Sequence, residues 1–122
     1  MSEPSATGPE LPGGIRRVAV LGAGLVGGSI ALAVRAVAEA AGPNAGVEVV
    51  VTDADPAVRD QARELALARV TDRLESAVAG ADLVIAAVPT SAVAEVLDAA
   101  ARAAPPTALL TDAASLKART TA

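Results

Sequence analysis

A doubly wound α/β fold, with a mainly parallel sheet carrying helices on both faces, is predicted by three features of the chain. Short apolar runs of Val, Leu and Ile alternate with longer Ala-rich stretches. The apolar runs are continuous rather than alternating, as in strands buried on both sides. The first of them, Val18-Ala19-Val20-Leu21, runs directly into a glycine turn, Gly22-Ala23-Gly24-Leu25-Val26-Gly27-Gly28-Ser29, that opens a helix. Strands and helices alternating at this length imply right-handed βαβ units.

Each element has its own local warrant. Met1 to Gly14 is rich in Ser, Pro and Gly without periodicity and reads as a disordered lead-in, which leaves one domain over 15–122. Ile15 to Leu21 is expected as the first strand. Leu25 to Ala41 is a helix of Ala, Leu, Val and Ile, closed by Gly42-Pro43. Val47 to Val51 is a β-branched strand ending at Thr52-Asp53. Pro56 suits the first turn of the next helix, with Asp55 as its cap and a run through Arg59, Glu64 and Leu67. Between Ala68 and Gly80 the pattern is weak, allowing a short strand near Val70 and one or two helical turns. Leu83 to Val88 is an apolar strand ended by Pro89. Ser91 to Ala103 is a helix stopped before Pro105-Pro106, and Ala108 to Thr111 is a last strand.

The glycines stand in the G-x-G-x-x-G register of a Rossmann-type dinucleotide site, where each has a physical task. Gly22 makes the tight turn, Gly24 lets backbone touch phosphate, and Gly27 lets helix and strand pack closely. A side chain at Gly24 would stand where a pyrophosphate has to lie. The free N–H groups and positive dipole end of the helix favour an anion by roughly 0.3–1 kcal/mol per charge. A plain structural turn is the competing reading, and the flanking strand and helix count against it. Asp53, at the end of the second strand, is positioned to accept hydrogen bonds from both hydroxyls of an adenosine ribose and to repel a 2′-phosphate, with Asp55 adding to the repulsion. NAD is therefore expected over NADP. Asp53 as a mere turn cap is the bland alternative, and Arg59 could in principle answer a phosphate but on a helix reads more readily as a solvated charge.

Composition narrows the function. With 52% hydrophobic residues but no Phe, Tyr or Trp among 122, the core has to be built from Val, Leu, Ile and Ala. The missing aromatics remove the stacking platforms of single-strand nucleic-acid binding. A net charge of −4 offers no basic footprint for nucleic acid. There is no Cys, hence no disulfide or thiolate chemistry, and no His, the commonest general base and metal ligand, so no metal site is expected. Arg16-Arg17 before an apolar run looks superficially like an export signal or membrane anchor. The run is broken by four glycines and a serine, and Arg35 ends it short of the ~20 residues a bilayer requires. A cytoplasmic location, without membrane or nucleic-acid partners, is expected.

Three segments in order, Gly22-x-Gly24-Leu25-x-Gly27-Gly28-Ser29-x-Ala31, Ala81-Asp82-Leu83-Val84-Ile85-x-Ala87-Val88-Pro89 and Leu110-Thr111-Asp112-x-x-Ser115-x-Lys117, resemble the N-terminal nucleotide-binding domain of the prephenate/arogenate dehydrogenase family. The resemblance covers about residues 16 to 117. It implies NAD(P)-dependent oxidative decarboxylation of prephenate or arogenate on the way to tyrosine. It also implies that Gly22, Gly24, Leu25, Val26, Gly27 and Asp53 bind the dinucleotide and that Val88-Pro89 lies near the nicotinamide ribose. By the same resemblance Ser115 hydrogen-bonds in the substrate hydroxyl region as a catalytic residue, with Lys117 beside it. A helix N-cap is the structural alternative for Ser115, and the two roles are compatible.

The departure from the family pattern is equally specific. In the family a histidine in a G-x-H-P segment takes the hydroxyl proton, and a helical substrate and dimerisation domain follows. This chain carries neither, so it is expected to be the C-terminally incomplete cofactor part of the enzyme, inactive alone and homodimeric only in a longer form. Alternatives are a stand-alone NAD-binding or regulatory module, and another NAD(P)-dependent dehydrogenase or imine reductase of the same fold.

Overall fold

A computed structural model describes residues 14–40, 46–65 and 68–113. Five strands and four helices alternate in it: β1 Arg17–Leu21, α1 Leu25–Ala40, β2 Glu48–Thr52, α2 Pro56–Glu64, β3 Arg69–Thr71, α3 Leu74–Val78, β4 Leu83–Ala86, α4 Thr90–Ala103 and β5 Leu109–Asp112. All strand pairs are parallel and the spatial order is β3-β2-β1-β4-β5. Strand order thus reverses at β1, with β2 on one side and β4 on the other. This is the Rossmann-type arrangement expected.

The period-two alternation of a strand sends neighbouring side chains to opposite faces, and the core divides accordingly. Val18 and Val20 of β1 join Val49, Val51 and Ile85 on the face covered by α1 and α2, through Ala31 and Ala62. Ala19 and Leu21 join Val50 and Val84 on the face covered by α3 and α4, through Ala77, Val78 and Ala100. Both faces are buried, which is why the strands read as unbroken apolar runs. Of the seven largest fully buried side chains, six are strand Val or Leu and one is Val78 of α3. Each contributes roughly 1.5–3 kcal/mol by leaving water. The facing helices contribute mostly alanine, so they approach the sheet closely without aromatic fillers.

Several boundaries differ from expectation for identifiable reasons. The first strand opens at Arg17 rather than Ile15, because the ladder with β2 begins at the Arg17–Glu48 pair; Ile15 is buried just ahead of it. The fourth strand ends at Ala86 rather than Val88. The Ala87 N–H still donates to the Leu21 carbonyl at 2.7 Å, but β1 then turns away at Gly22 and leaves no partner. Helix α2 begins as expected, the Asp55 carboxylate accepting from Ala57 N–H, and it closes at Glu64 on a Leu65 cap. Helix α4 starts at Thr90 behind Pro89, one residue early. Gly42-Pro43, Leu67 and the lead-in before Gly14 lie outside the described residues.

At the amino edge of the sheet one carboxylate organises the entry into β1. Asp82 Oδ2 accepts the backbone N–H of both Arg16 and Arg17, at 2.9 and 3.0 Å, joining the start of β4 to the start of β1. Those two amide bonds, Arg16 foremost, hold the Asp82 carboxyl below its usual range. The ionised form is favoured in the folded state, so this stabilisation is present above the ordinary carboxylate range and is lost as pH falls through it. Asp82→Ala therefore lowers Tm at neutral pH, and the gap from the unaltered chain narrows below about pH 4. Thermal melts at several pH values check this; a gap independent of pH overturns it.

Candidate functional site

The reversal of strand order puts the carboxyl ends of β1 and β4 at a topological switch point, the position where open α/β sheets hold ligands in a crevice. The residues at this edge are those of the glycine turn, of the β2 end and of the β4 end. The turn is fastened on two sides. Gly22 N–H donates to the Thr52 carbonyl at 2.8 Å, and Ala23 N–H donates to Asp53 Oδ2 at 2.9 Å.

The three fingerprint glycines separate by cause. Gly22 has φ +108°, a region L side chains rarely adopt, and a Cβ there would lie 2.4 Å from the Ala87 carbonyl oxygen. At Gly27 a Cβ would lie 1.7 Å from the Gly22 carbonyl oxygen, so only glycine lets α1 sit this close to β1. Gly24 has neither constraint: a Cβ there meets nothing within 4 Å and its φ is ordinary. Its carbonyl accepts the Gly28 N–H at 2.8 Å, which makes it the residue capping α1. Ser, Asn or Asp would cap at least as well as glycine. Among the described residues nothing requires a glycine at this position.

Gly24 leads into α1, whose first three N–H groups, on Leu25, Val26 and Gly27, precede the first intrahelical donor and have no acceptor within the helix. No acid stands in this first turn. Leu25 is 89% exposed and Val26 55%, both large apolar side chains flanking the glycine turn. Across the crevice Val88 is half-buried, its Cγ1 3.3 Å from where a Gly22 Cβ would be, and exposed Pro89 starts α4. Expected site residues Gly22, Gly24, Leu25, Val26, Gly27, Asp53, Val88 and Pro89 thus share one edge. Asp112, in register with Ala86, ends β5 at the same edge. Ser115 and Lys117 lie outside the described residues.

Asp53 has a structural task besides any ligand. Its Oδ2 takes the Ala23 amide and its Oδ1 the Asp55 amide at 2.9 Å. An ionised carboxylate offers about four acceptor positions, so one position on each oxygen remains for a pair of hydroxyls. Asp53 is therefore a turn cap with acceptor capacity left for a diol.

Arg59 corrects an expectation. It is not a solvated helix charge: its side chain is only 17% exposed. Nη1 donates to the Asp53 carbonyl at 2.8 Å, and Nε stands 3.4 Å from Asp72 Oδ1, an ion-pair distance without hydrogen-bond alignment. Helical periodicity shows that Arg59 is on α2 but not that the β3–α3 loop brings Asp72 against it. Asp72 also takes Arg63 Nη2 at 2.6 Å, and this bond, more than the charge of Arg59, holds its carboxyl below the usual range.

Among the described residues no group of three or more acids could hold a metal ion, and no helix is long and apolar enough to cross a membrane. A family model described as prephenate dehydrogenase, nucleotide-binding domain, matches residues 35–122. The chain belongs to the prephenate dehydrogenase nucleotide-binding domain family. The family match begins after the glycine turn, so the fingerprint and the match are separate observations within this domain. Among solved structures, the domain is similar to prephenate dehydrogenase from A. aeolicus in complex with hydroxyphenyl propionate and NAD+, at 22% identity and TM-score 0.66, over 80% of this chain and 33% of that one. Synechocystis arogenate dehydrogenase gives 22% identity and TM-score 0.65 over 79% and 32%. An NAD+-dependent dismutase, 5-formyl-3-hydroxy-2-methylpyridine 4-carboxylic acid 5-dehydrogenase, gives 28% and TM-score 0.64 over 80% and 36%. The chain spans about a third of the length of these structures. No curated protein sequence matches it.

Proposed function

We propose that this domain binds NAD across the β1/β4 crevice and serves as the cofactor half of a prephenate or arogenate dehydrogenase in tyrosine formation. The observation that carries the reading is Gly24, a glycine at an exposed helix cap with open space beside it and, among the described residues, no reason to lack a side chain. A pyrophosphate against backbone supplies that reason, and the first-turn amides of Leu25, Val26 and Gly27 supply its donors. The residues present fit the group: donors for the diphosphate, two acceptor positions on Asp53 for the ribose diol, and the Val88-Pro89 corner for the nicotinamide end. NAD would supply the hydride acceptor. The likeness to an NAD+ complex of prephenate dehydrogenase and to an NAD+-dependent dismutase supports the choice of cofactor.

Asp53 is the group that discriminates at the ribose. Titration calorimetry is expected to show tighter binding of NAD than of NADP. Asp53→Ser is expected to narrow the difference by removing the charge that opposes a 2′-phosphate. Equal or tighter binding of NADP by the unaltered chain defeats the assignment.

At the reacting end we assign Ser115 to orient the substrate hydroxyl, with Lys117 beside it. A serine hydroxyl is too weak a base to take the carbinol proton, and the chain has no histidine. These 122 residues alone are therefore expected to form no NADH from prephenate or arogenate. A positioned base typically contributes 10²–10⁴-fold, and activity should appear when a His-bearing segment and a substrate domain are supplied. NADH formed by the chain alone, followed at 340 nm, would contradict this and point to an acid at the same edge, Asp112 first. We assign the domain to the cytoplasm.

A further inference from the structure

Thr52 and Thr71 are register partners at the ends of β2 and β3, joined again by a 2.7 Å bond from Thr52 Oγ1 to the Thr71 carbonyl. Asp53 and Asp72 are the next residues on each strand, so they leave the sheet side by side at its carboxyl edge. Arg59 lies between the two. One end of its guanidinium holds the Asp53 backbone carbonyl at 2.8 Å, and Nε faces the Asp72 carboxylate at 3.4 Å. Arg63, one helical turn on, donates to the same Asp72 oxygen at 2.6 Å and stands 3.3 Å from Asp60. Around the end of β2 there are thus four carboxylates, Asp53, Asp55, Asp60 and Asp72, and two guanidinium groups, both of them engaged by Asp72.

We infer that Asp72 is a specificity-determining residue: through its ion pair with Arg59 in the β2–β3 wall, it denies a 2′-phosphate a cation bonded to the main chain of the ribose-binding residue, Asp53. The inference rests on the dinucleotide reading of the same edge and extends it to a residue outside the fingerprint. The rejection of a 2′-phosphate then has two parts. Asp53 repels the phosphate directly. Asp72 occupies the guanidinium that would otherwise answer it, since an arginine makes its strongest bonds to phosphate when both of its donor edges are available. The placement of Arg59 suits this role, because its head is bonded to the main chain of Asp53 itself. A cation at that position is within one residue of the carboxylate assigned to the ribose.

The test is titration calorimetry of NAD and NADP on the unaltered chain, Asp72→Asn, Arg59→Met and the double variant. Asp72 is 66% exposed, so the substitution is compatible with folding, and thermal melts confirm it; Asp72→Ser serves as a second variant. Asp72→Asn is expected to raise NADP affinity relative to NAD by about fivefold, the upper end for a solvent-exposed ion pair. In the Arg59→Met background the same change is expected to leave the ratio unmoved, because the released cation is gone. A merely structural role for Asp72 would weaken both cofactors alike and leave the ratio constant, which overturns the inference. A gain of equal size without Arg59 also overturns it, showing simple removal of negative charge. Should the unaltered chain bind neither cofactor, the dinucleotide reading itself fails; should it bind NAD while Asp72→Asn leaves the ratio unchanged, only the role of Asp72 fails.

Discussion

Gly24→Val is expected to leave the domain folded and to abolish NAD binding, as read by circular dichroism, thermal melting and titration calorimetry on one preparation. The fold should survive because a Cβ at Gly24 meets nothing within 4 Å and the backbone there is unstrained. The stability cost is confined to a poorer cap on α1, about 1 kcal/mol or less for an apolar residue in place of glycine. That corresponds to a few degrees in Tm for a domain of this size. Binding should fail because the branched side chain fills the space against the first-turn amides. Unchanged NAD affinity in a folded variant would mean that no phosphate lies against this turn, and the site assignment would fall with it.

Gly27→Ala is expected to give the opposite pairing, a large loss of stability that carries binding down with it. Only Leu25 and Val26 separate the two positions, but a single methyl at Gly27 would sit 1.7 Å from the Gly22 carbonyl oxygen. Alanine in a helix interior is worth up to about 1 kcal/mol over glycine. Here the obstruction is backbone, which cannot rotate aside as a side chain would. Either α1 moves off the sheet, losing its contacts around Ala31, or the turn at Gly22 opens. Overpacking of this kind costs about 3 kcal/mol or more, a fall in Tm of about 10 °C or more. A Tm equal to or above that of the unaltered chain would show that α1 does not pack on β1 as described. Together the two variants would separate a glycine kept for the fold from one kept for a ligand.

The reading of the sequence succeeded where one local signal decides the structure. β1, β2 and β4 are continuous apolar runs because both of their faces are covered, and α2 starts where Asp55 and Pro56 say it should. The glycine turn, the β2 end at Asp53 and the Val88-Pro89 corner meet at one edge, as the fingerprint requires. From Ala68 to Gly80 the pattern allowed the short strand near Val70 and the helical turns that β3 and α3 form, but left their bounds open, because a three-residue edge strand and a five-residue helix are too short to show a period. Yet Ala77 and Val78 of that helix are fully buried beneath the sheet. Arg59 was misread for a related reason. Its partners are a main-chain carbonyl on one loop and a carboxylate on another, and neither can be found by counting along a helix. No signal in the sequence joins Asp72 to Asp53, since their adjacency follows only from the register of β2 with β3.

The central position of β1 also orders events in time. Of the described strands it is made first, and its partner β4 arrives 65 residues later, the separation spanned by the Asp82 bond to the Arg17 amide. At roughly 5–20 residues per second a ribosome needs several seconds to cover that interval. Throughout it, one edge of β1 stays unpaired and the Gly22 turn lacks the Ala87 backbone it packs against. The edge that carries the candidate site is therefore among the last features of the nascent domain to form, although its glycine signature directly follows the first of the described strands.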